Sequence, residues 1–397
     1  MRAVVAKAMT ENADADAIKI NPSMRTAVVI LNWNTENVLR DFLPPLLDSV
    51  KNTEGAEVIV ADNASEDGSL HLMEHRFPNV KTIRFTQNLG FTGGYNAAFE
   101  ELKETGRPEY LVLINSDIEV TENWLQPLID WMDSHPECGA CAPKLLSWYN
   151  RSQFEYAGAA GGYIDRYGYP FCRGRVMKHV DDDHGQYDDP SNVFWATGAC
   201  LMVRADAFWS VGGLDKRFFA HMEEIDMCWR MQLEGWRITV VPDSVVYHVG
   251  GGTLPAESPF KLYLNFRNNL LMLENNLAKT FALSEFKKGA SIRKAALTGA
   301  RKATKRISFR KWLDRMSASV YLLTFRKKSM EAVIKAHKDA AAMSKAVTPS
   351  EIEEYLTRNI DKGQEVKGIY KKWIVSEALI KGKGISGSIK ETDFINI

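Results

Sequence analysis

The 397 residues are 45% hydrophobic and 25% charged, an ordinary globular composition in a chain longer than one average domain. Lys plus Arg and Asp plus Glu each number 50, a formal charge of zero that excludes a uniformly basic nucleic-acid binder. The zero conceals segregation: residues 1–275 hold 24 basic and 38 acidic side chains, 276–346 hold 18 and 4, and 347–397 hold 8 and 8, giving net charges of −14, +14 and 0.

The switch at 276 predicts three parts: a flexible leader over 1–24, an α/β body over 25–275 and a helical, basic region over 276–397. The leader is rich in Ala, Asp and Asn and lacks a signal-peptide core, and no later run reaches the ~20 apolar residues of a membrane span. A cytoplasmic protein is therefore expected. Next come four short β-branched runs, at 26–32 (TAVVILN), 57–62 (EVIVAD), 80–85 (VKTIRF) and 110–115 (YLVLIN). Between the first two, Leu39, Phe42, Leu43, Leu46, Leu47 and Val50 have helical spacing, which Pro44 and Pro45 are expected to interrupt. Strands alternating with helices predict a mostly parallel sheet covered by helices.

In such sheets ligands lie beyond the carboxyl ends of the strands, which directs attention to Asn32, Asp62, Asn88 and the trio Asn115, Ser116 and Asp117. Asp117 is an oxygen ligand of the kind hard divalent cations take, or a helix cap. Asp62 can accept a hydrogen bond from a base N–H or a ribose hydroxyl. The turn Asn88–Asn96 matches neither GxGxxG nor GxxxxGK[ST], so a dinucleotide cofactor or ATP site is not supported. Its Gly90 and Gly94 still permit close backbone approach to a ligand.

A glycine-rich stretch from Arg151 to Ser191 reads as a long irregular binding loop, and 193–203 (VFWATGACLMV) as a strand. The segment 220–235 (AHMEEIDMCWRMQLEG) reads as a helix ended by glycine. Glu223 and Asp226 share one face of it while Glu224 points elsewhere, and a carboxylate partly buried here can act as a base. His248 ends the run SVVYH; with Asp117 it would offer nitrogen beside oxygen to Mg²⁺ or Mn²⁺. The five cysteines are odd in number and thinly spread, so neither a disulfide framework nor a zinc site at Cys138 and Cys141 is expected.

Seven stretches in this order, VVILNWN, VIVADNASEDGS, FTQNLGFTGGYN, YLVLINSDIEV, FWATGACLMVR, VGGLDKRFFAHMEEIDMCWR and VVYHVGGGT, resemble the family 2 inverting glycosyltransferases of the GT-A fold. The likeness is greatest to the bacterial rhamnosyltransferase-like branch and runs from about Thr26 to Leu273. It implies a nucleotide-diphospho-sugar donor, often dTDP-rhamnose in that branch, and a glycan or lipid-linked acceptor. By resemblance Asn32, Asn34, Asp62, Asn88, Gly90, Gly94, Asn96 and Ser116 surround the nucleotide. Asp117 holds the last position of the family's metal-binding Asp-x-Asp, and His248 completes the metal site. Glu224 aligns with the catalytic base, with Asp226 as its rival, while Trp195, Gly198 and Glu223 shape the donor and acceptor side. Two departures matter: Asn115 replaces the first Asp of the metal motif, and Glu224 is one methylene longer than the usual Asp. A non-catalytic partner that binds nucleotide sugars within a glycan assembly complex is the alternative these departures leave open.

Beyond 276, FKK, IRK, ARKATKR, FRK and FRKK place positive charge on one arc of a helix beginning near Phe286. Ala290, Ala296, Leu297, Ala300 and Ile307 form a shallow apolar arc, continued by Trp312, Leu313, Met316, Val320, Leu323 and Phe325. Such an arm suits the anionic inner membrane face, or packing on the acidic body or on another subunit of an oligomer. No nucleic-acid-binding module accompanies the charge.

Overall fold

A computed structural model describes residues 23–250, 258–359, 364–382, 385–395 and 397. The expected leader therefore lies outside the described residues except for its last two positions. The elements run β1 (Thr26–Asn32), α1 (Glu36–Val50), β2 (Ala56–Asp62), α2 (Ser69–Arg76), β3 (Lys81–Arg84), α3 (Gly90–Thr105), β4 (Tyr110–Ile114), β5 (Ile118–Val120), α4 (Leu125–Ser134) and β6 (Cys138–Ser147). They continue with β7 (Gly162–Asp165), β8 (Pro170–Cys172), β9 (Arg175–Val176), β10 (His179–Val180), β11 (Ser191–Asn192), β12 (Cys200–Arg204), α5 (Ala205–Ser210), α6 (Glu223–Leu233) and β13 (Arg237–His248). The remainder is α7 (Pro259–Lys287), α8 (Ile292–Leu323), α9 (Lys327–Ala342), α10 (Pro349–Arg358), β14 (Ile369–Tyr370), α11 (Ile374–Lys381) and β15 (Phe394–Ile395).

The main sheet is ordered β11-β13-β6-β12-β4-β1-β2-β3, with β5 added to β13. β4, β1, β2 and β3 pair in parallel, and Asn32 lies in register with Asp62. Burial of Leu39, Leu43, Leu46 and Val50 keeps α1 helical through Pro44 and Pro45, contrary to the expected interruption: packing of the apolar stripe outweighs two missing N–H donors. Gly94 brings α3 against β1, since a Cβ there would come within 2.6 Å of Leu31 Cδ1.

Two further expectations are corrected. The stretch Arg151–Ser191 is largely organised, because β7 to β10 join β14 and β15 in a second sheet ordered β10-β9-β8-β7-β14-β15. Residues 193–199 are a buried strap, and the strand begins only at Cys200. The strap's groups bond outward in several directions, Val193 N to Ile238 O and Phe194 N to Gly162 O, both at 2.9 Å.

α7 passes unbroken through residues 275 and 276. The helix expected from Phe286 breaks at Gly289, whose φ is 90°, and resumes as α8 under the Ser291 cap. Gly299 permits the close crossing of α8 on α7, since a Cβ would lie 2.6 Å from the Ala278 carbonyl oxygen. Part of the basic arc faces inward: Arg310 is buried, bonded to Asp314 at 2.8 Å, with its guanidinium 3.8 Å from the Tyr169 ring centre. Outward, Trp312, Met316, Val320, Leu322, Leu323 and Phe325 are exposed, the last at 96%.

Candidate active site

At the carboxyl ends of β1 and β2, Asn32 Nδ2 donates to Asp62 Oδ1 at 2.8 Å and to Ser65 Oγ at 3.0 Å, while Ser65 N donates to Asp62 Oδ2 at 2.9 Å. Asp62 is buried, and with both oxygens bonded its carboxylate orders the loop. Asn34 takes the left-handed φ of 53° and accepts from Glu66 N at 2.7 Å. Asn88 accepts from Asn63 Nδ2 at 3.0 Å and from Gly90 N at 2.8 Å, folding the turn into α3. Gly90 has φ of 70°, and a Cβ there would overlap the Phe219 ring. Ser116 Oγ accepts from Thr35 Oγ1 at 3.4 Å, linking the β4 end to the β1 end.

His248, at the end of β13, lies with Nε2 3.2 Å from Asp117 Oδ1 and Nδ1 3.4 Å from Glu155 Oε1. Burial alone would lower the imidazole pKa, but the two carboxylates outweigh it and hold the ring at about 10. Burial pushes the Asp117 carboxyl up, and His248 and nearby backbone N–H groups more than reverse this. When His248 is neutral, the Asp117 oxygen and its imidazole nitrogen form an adjacent N,O donor pair, suited to Mg²⁺ or Mn²⁺ whose other ligands come from a diphosphate. Among the described residues no set of three such side chains forms a closed metal cage. Glu155, on the face away from Asp117, is placed to orient the imidazole.

The loop before α6 is wound tightly, with left-handed φ at Phe219 (65°), His221 (69°) and Met222 (72°). It delivers Glu223 and Glu224 to the first turn of α6, each with a buried Oε2 that lacks a hydrogen-bond partner. Burial pushes Glu224 up to about 7, partly offset by backbone N–H groups including that of Gly198. Glu223 is raised further, by burial and then by the neighbouring Glu224 charge. Gly198 keeps the approach narrow: a Cβ there would lie 3.4 Å from Phe91 and 3.6 Å from Glu224 Cβ. The next residue, Ala199, accepts from Asn115 N at 2.9 Å, tying this carboxylate pair to the Asp117 strand end.

Three expected site residues are bonded into the surrounding scaffold. Asp226 is fully buried and accepts from Arg230 Nε at 2.7 Å, Asn275 Nδ2 at 2.9 Å and Asn276 Nδ2 at 2.8 Å. Asn96 pairs both amide groups with the Leu214 backbone, at 2.7 and 3.0 Å. Trp195 is 2% exposed and donates to Tyr163 O at 3.0 Å, filling the space beside Gly162. Glu155 and the buried polar face of α7, Arg267 and Asn268, are absent from the sequence-based set. The α7 residues carried a signal, since polar side chains stand there on a helix face otherwise buried.

The glycosyl transferase family 2 profile matches residues 27–212. The chain is 28% identical over 232 residues to the N-acetylglucosaminyl-diphospho-decaprenol L-rhamnosyltransferase of Mycobacterium tuberculosis, covering 56% of this chain and 75% of that one. It is 26% identical over 206 residues to Rhamnosyltransferase WbbL of Escherichia coli, covering 51% and 76%. Among solved structures it is similar to GalNAc-T7 with UDP, GalNAc and Mn²⁺, with a TM-score of 0.48 at 17% identity over 63% of this chain and 48% of that one. The match to glycosyl transferase family 2 over residues 27–212 thus falls on the α/β sheet and its strand-end loops, in a chain similar to two rhamnosyltransferases.

Proposed function

We propose that the protein transfers a sugar, with inversion, from a nucleotide-diphosphate donor to a hydroxyl of a glycan or lipid-linked saccharide in cell-surface polysaccharide synthesis. Two relatives named as rhamnosyltransferases make dTDP-rhamnose the first donor to test. The observation that carries this reading is Glu224, whose buried, unpartnered Oε2 and pKa of about 7 suit a base that must both take and release a proton near neutrality.

The loops of Asn32, Asp62 and Asn88 bind the nucleotide. Asp117 and His248 would hold a divalent cation, which when bound neutralises charge growing on the departing diphosphate. Glu224 Oε2 takes the proton of the acceptor hydroxyl as that oxygen bonds to the anomeric carbon and the bond to the diphosphate breaks. Glu223, raised well above the usual carboxylate range, stays protonated and spares Glu224 a neighbouring negative charge. A panel of nucleotide sugars offered with lipid-linked acceptors tests the reading. Transfer from one of them should vanish in EDTA and return with Mn²⁺; undiminished transfer in EDTA would remove the cation from the scheme.

No helix among the described residues is long and apolar enough to cross a membrane. The exposed Leu322, Leu323 and Phe325, beside Arg326, Lys327 and Lys328, support peripheral attachment to an anionic inner membrane surface. Leu323→Glu/Phe325→Glu should lower flotation with phosphatidylglycerol vesicles several-fold without changing donor binding. Equal flotation of both proteins would argue against attachment at this tip.

A further inference from the structure

We propose that Asn268 of α7, held in place by Arg267, is a positioning residue for the base: it clamps the backbone of the loop that delivers Glu224 and acts on Glu224 only through that backbone. This rests on the glycosyltransferase reading above and adds a residue to it. Both side chains are buried, Arg267 at 6% exposure and Asn268 at 0%, so their polar groups must find partners inside the protein. Asn268 Nδ2 donates to the carbonyls of Phe218 at 2.9 Å and of Ala220 and His221, both at 2.7 Å. Arg267 Nη2 donates to the carbonyls of Arg217 at 3.1 Å and Phe218 at 2.7 Å, and its Nη1 to Tyr263 Oη at 3.1 Å. Arg267 Nε donates to Asn268 Oδ1 at 2.9 Å, which turns the Asn268 amide N–H groups toward the loop.

The loop needs such a clamp. Phe219, His221 and Met222 take left-handed φ of 65°, 69° and 72°, a region that residues with a Cβ avoid, and Met222 caps α6 without a side-chain hydrogen bond. The first turn of α6, with Glu223 and Glu224, is therefore fixed by the loop that enters it and not by a capping side chain. On its other side the loop leans on α3, where Thr92 N donates to the Phe219 carbonyl at 3.2 Å and the Phe219 ring packs on Gly90. Asp226 N donates to the Met222 carbonyl at 3.0 Å. Every carbonyl from Arg217 to Met222 thus has a donor, and Arg267 and Asn268 serve those of Arg217, Phe218, Ala220 and His221. Without the Asn268 amide, Ala220 and His221 lose the donor it supplies to their carbonyls. The left-handed turns then relax, Glu224 shifts from its place beside Gly198, and water reaches its carboxylate.

The test uses the full chain with the donor and acceptor found in the panel above. Asn268→Ala should lower kcat about 10²-fold, the scale of a catalytic group displaced by roughly 1 Å, and leave donor affinity unchanged. Burial is what holds Glu224 near 7, and the titratable groups around it, Glu223 and the Cys172 and Cys228 thiols, are all raised by burial. Wetting of the loop should therefore move the acid limb of kcat/KM in Asn268→Ala from near 7 toward 4.5. A merely weakened fold would lower the melting temperature and leave that limb in place. Unchanged kcat, or a fall in kcat with the limb unmoved, overturns the proposal. If Asn268→Ala does not fold, Asn268→Asp keeps the shape and the bond from Arg267 Nε while setting an acceptor against the loop carbonyls. It should lose kcat to a similar extent, and a folded Asn268→Asp with wild-type kcat overturns the clamp. If the wild type transfers no sugar at all, the transferase reading fails, and carbon-13 NMR titration of Glu224, identified by its absence in Glu224→Gln, reads the clamp alone. A titration midpoint lowered in Asn268→Ala supports it there, and an unmoved one overturns it.

Discussion

Glu224→Gln is expected to lower transfer by about 10²–10⁴-fold while donor affinity persists and thermal stability at pH 8 rises. The two effects have one cause. Folding buries the carboxyl and raises its pKa from 4.5 to about 7, so the folded state holds a proton that the unfolded chain releases between those values. Stability from this group is therefore lost as pH climbs from 4.5 through about 7, and above that the buried charge destabilises the fold. Gln carries no such charge, so its melting temperature should exceed that of the wild type at pH 8 and converge with it near pH 4.5. Wild-type kcat/KM should rise with pH through a pKa near 7, because only the ionised carboxylate accepts the proton. Retained turnover in Glu224→Gln would remove Glu224 from the role of base, and a lowered melting temperature would leave the activity loss attributable to unfolding.

Asp226→Ala should behave oppositely, destabilising the fold by about 3–5 kcal/mol, the usual penalty for removing one member of a buried ion pair. Arg230 is held by Asp226 and in turn donates to the carbonyls of Val211 at 2.6 Å and Gly213 at 2.8 Å. Without the carboxylate, a largely buried guanidinium loses its anion, and Asn275 and Asn276 lose their shared acceptor. Urea unfolding at pH 7.5 measures the difference. A variant as stable as the wild type but inactive would return Asp226 to candidacy as the base.

These contrasting neighbours show what was legible in the residues alone. Both lie in the acidic start of one helix, and spacing separates their faces, but it takes the packing of Arg230, Asn275 and Asn276 to distinguish a bonded carboxylate from an unpartnered one. The parallel strands ending at Asn32, Asp62 and Ile114 were legible because continuous β-branched runs buried on both faces have few other uses. The strap at 193–199 read as strand for the same reason and is not one. Its apolar side chains report burial between two sheets, while its carbonyls bond elsewhere, as Phe194 O does to Gln232 Nε2 at 2.9 Å. Glu155 carried no local signal, since it meets His248 only through the fold. Arg267 and Asn268 did carry one, as polar groups on a buried helix face, and their meaning depended on the loop they hold.

The pairing of β7 with β14 bears on how the molecule is made. Asp165 Oδ2 accepts from Ile374 N at 3.0 Å across 209 residues of chain, and β14 is the strand that pairs with β7 on that side among the described residues. At about 5–20 residues per second of synthesis, the β7 edge waits roughly 10–40 s for its partner. During that interval the nascent chain presents an open strand edge to neighbouring nascent chains or chaperones.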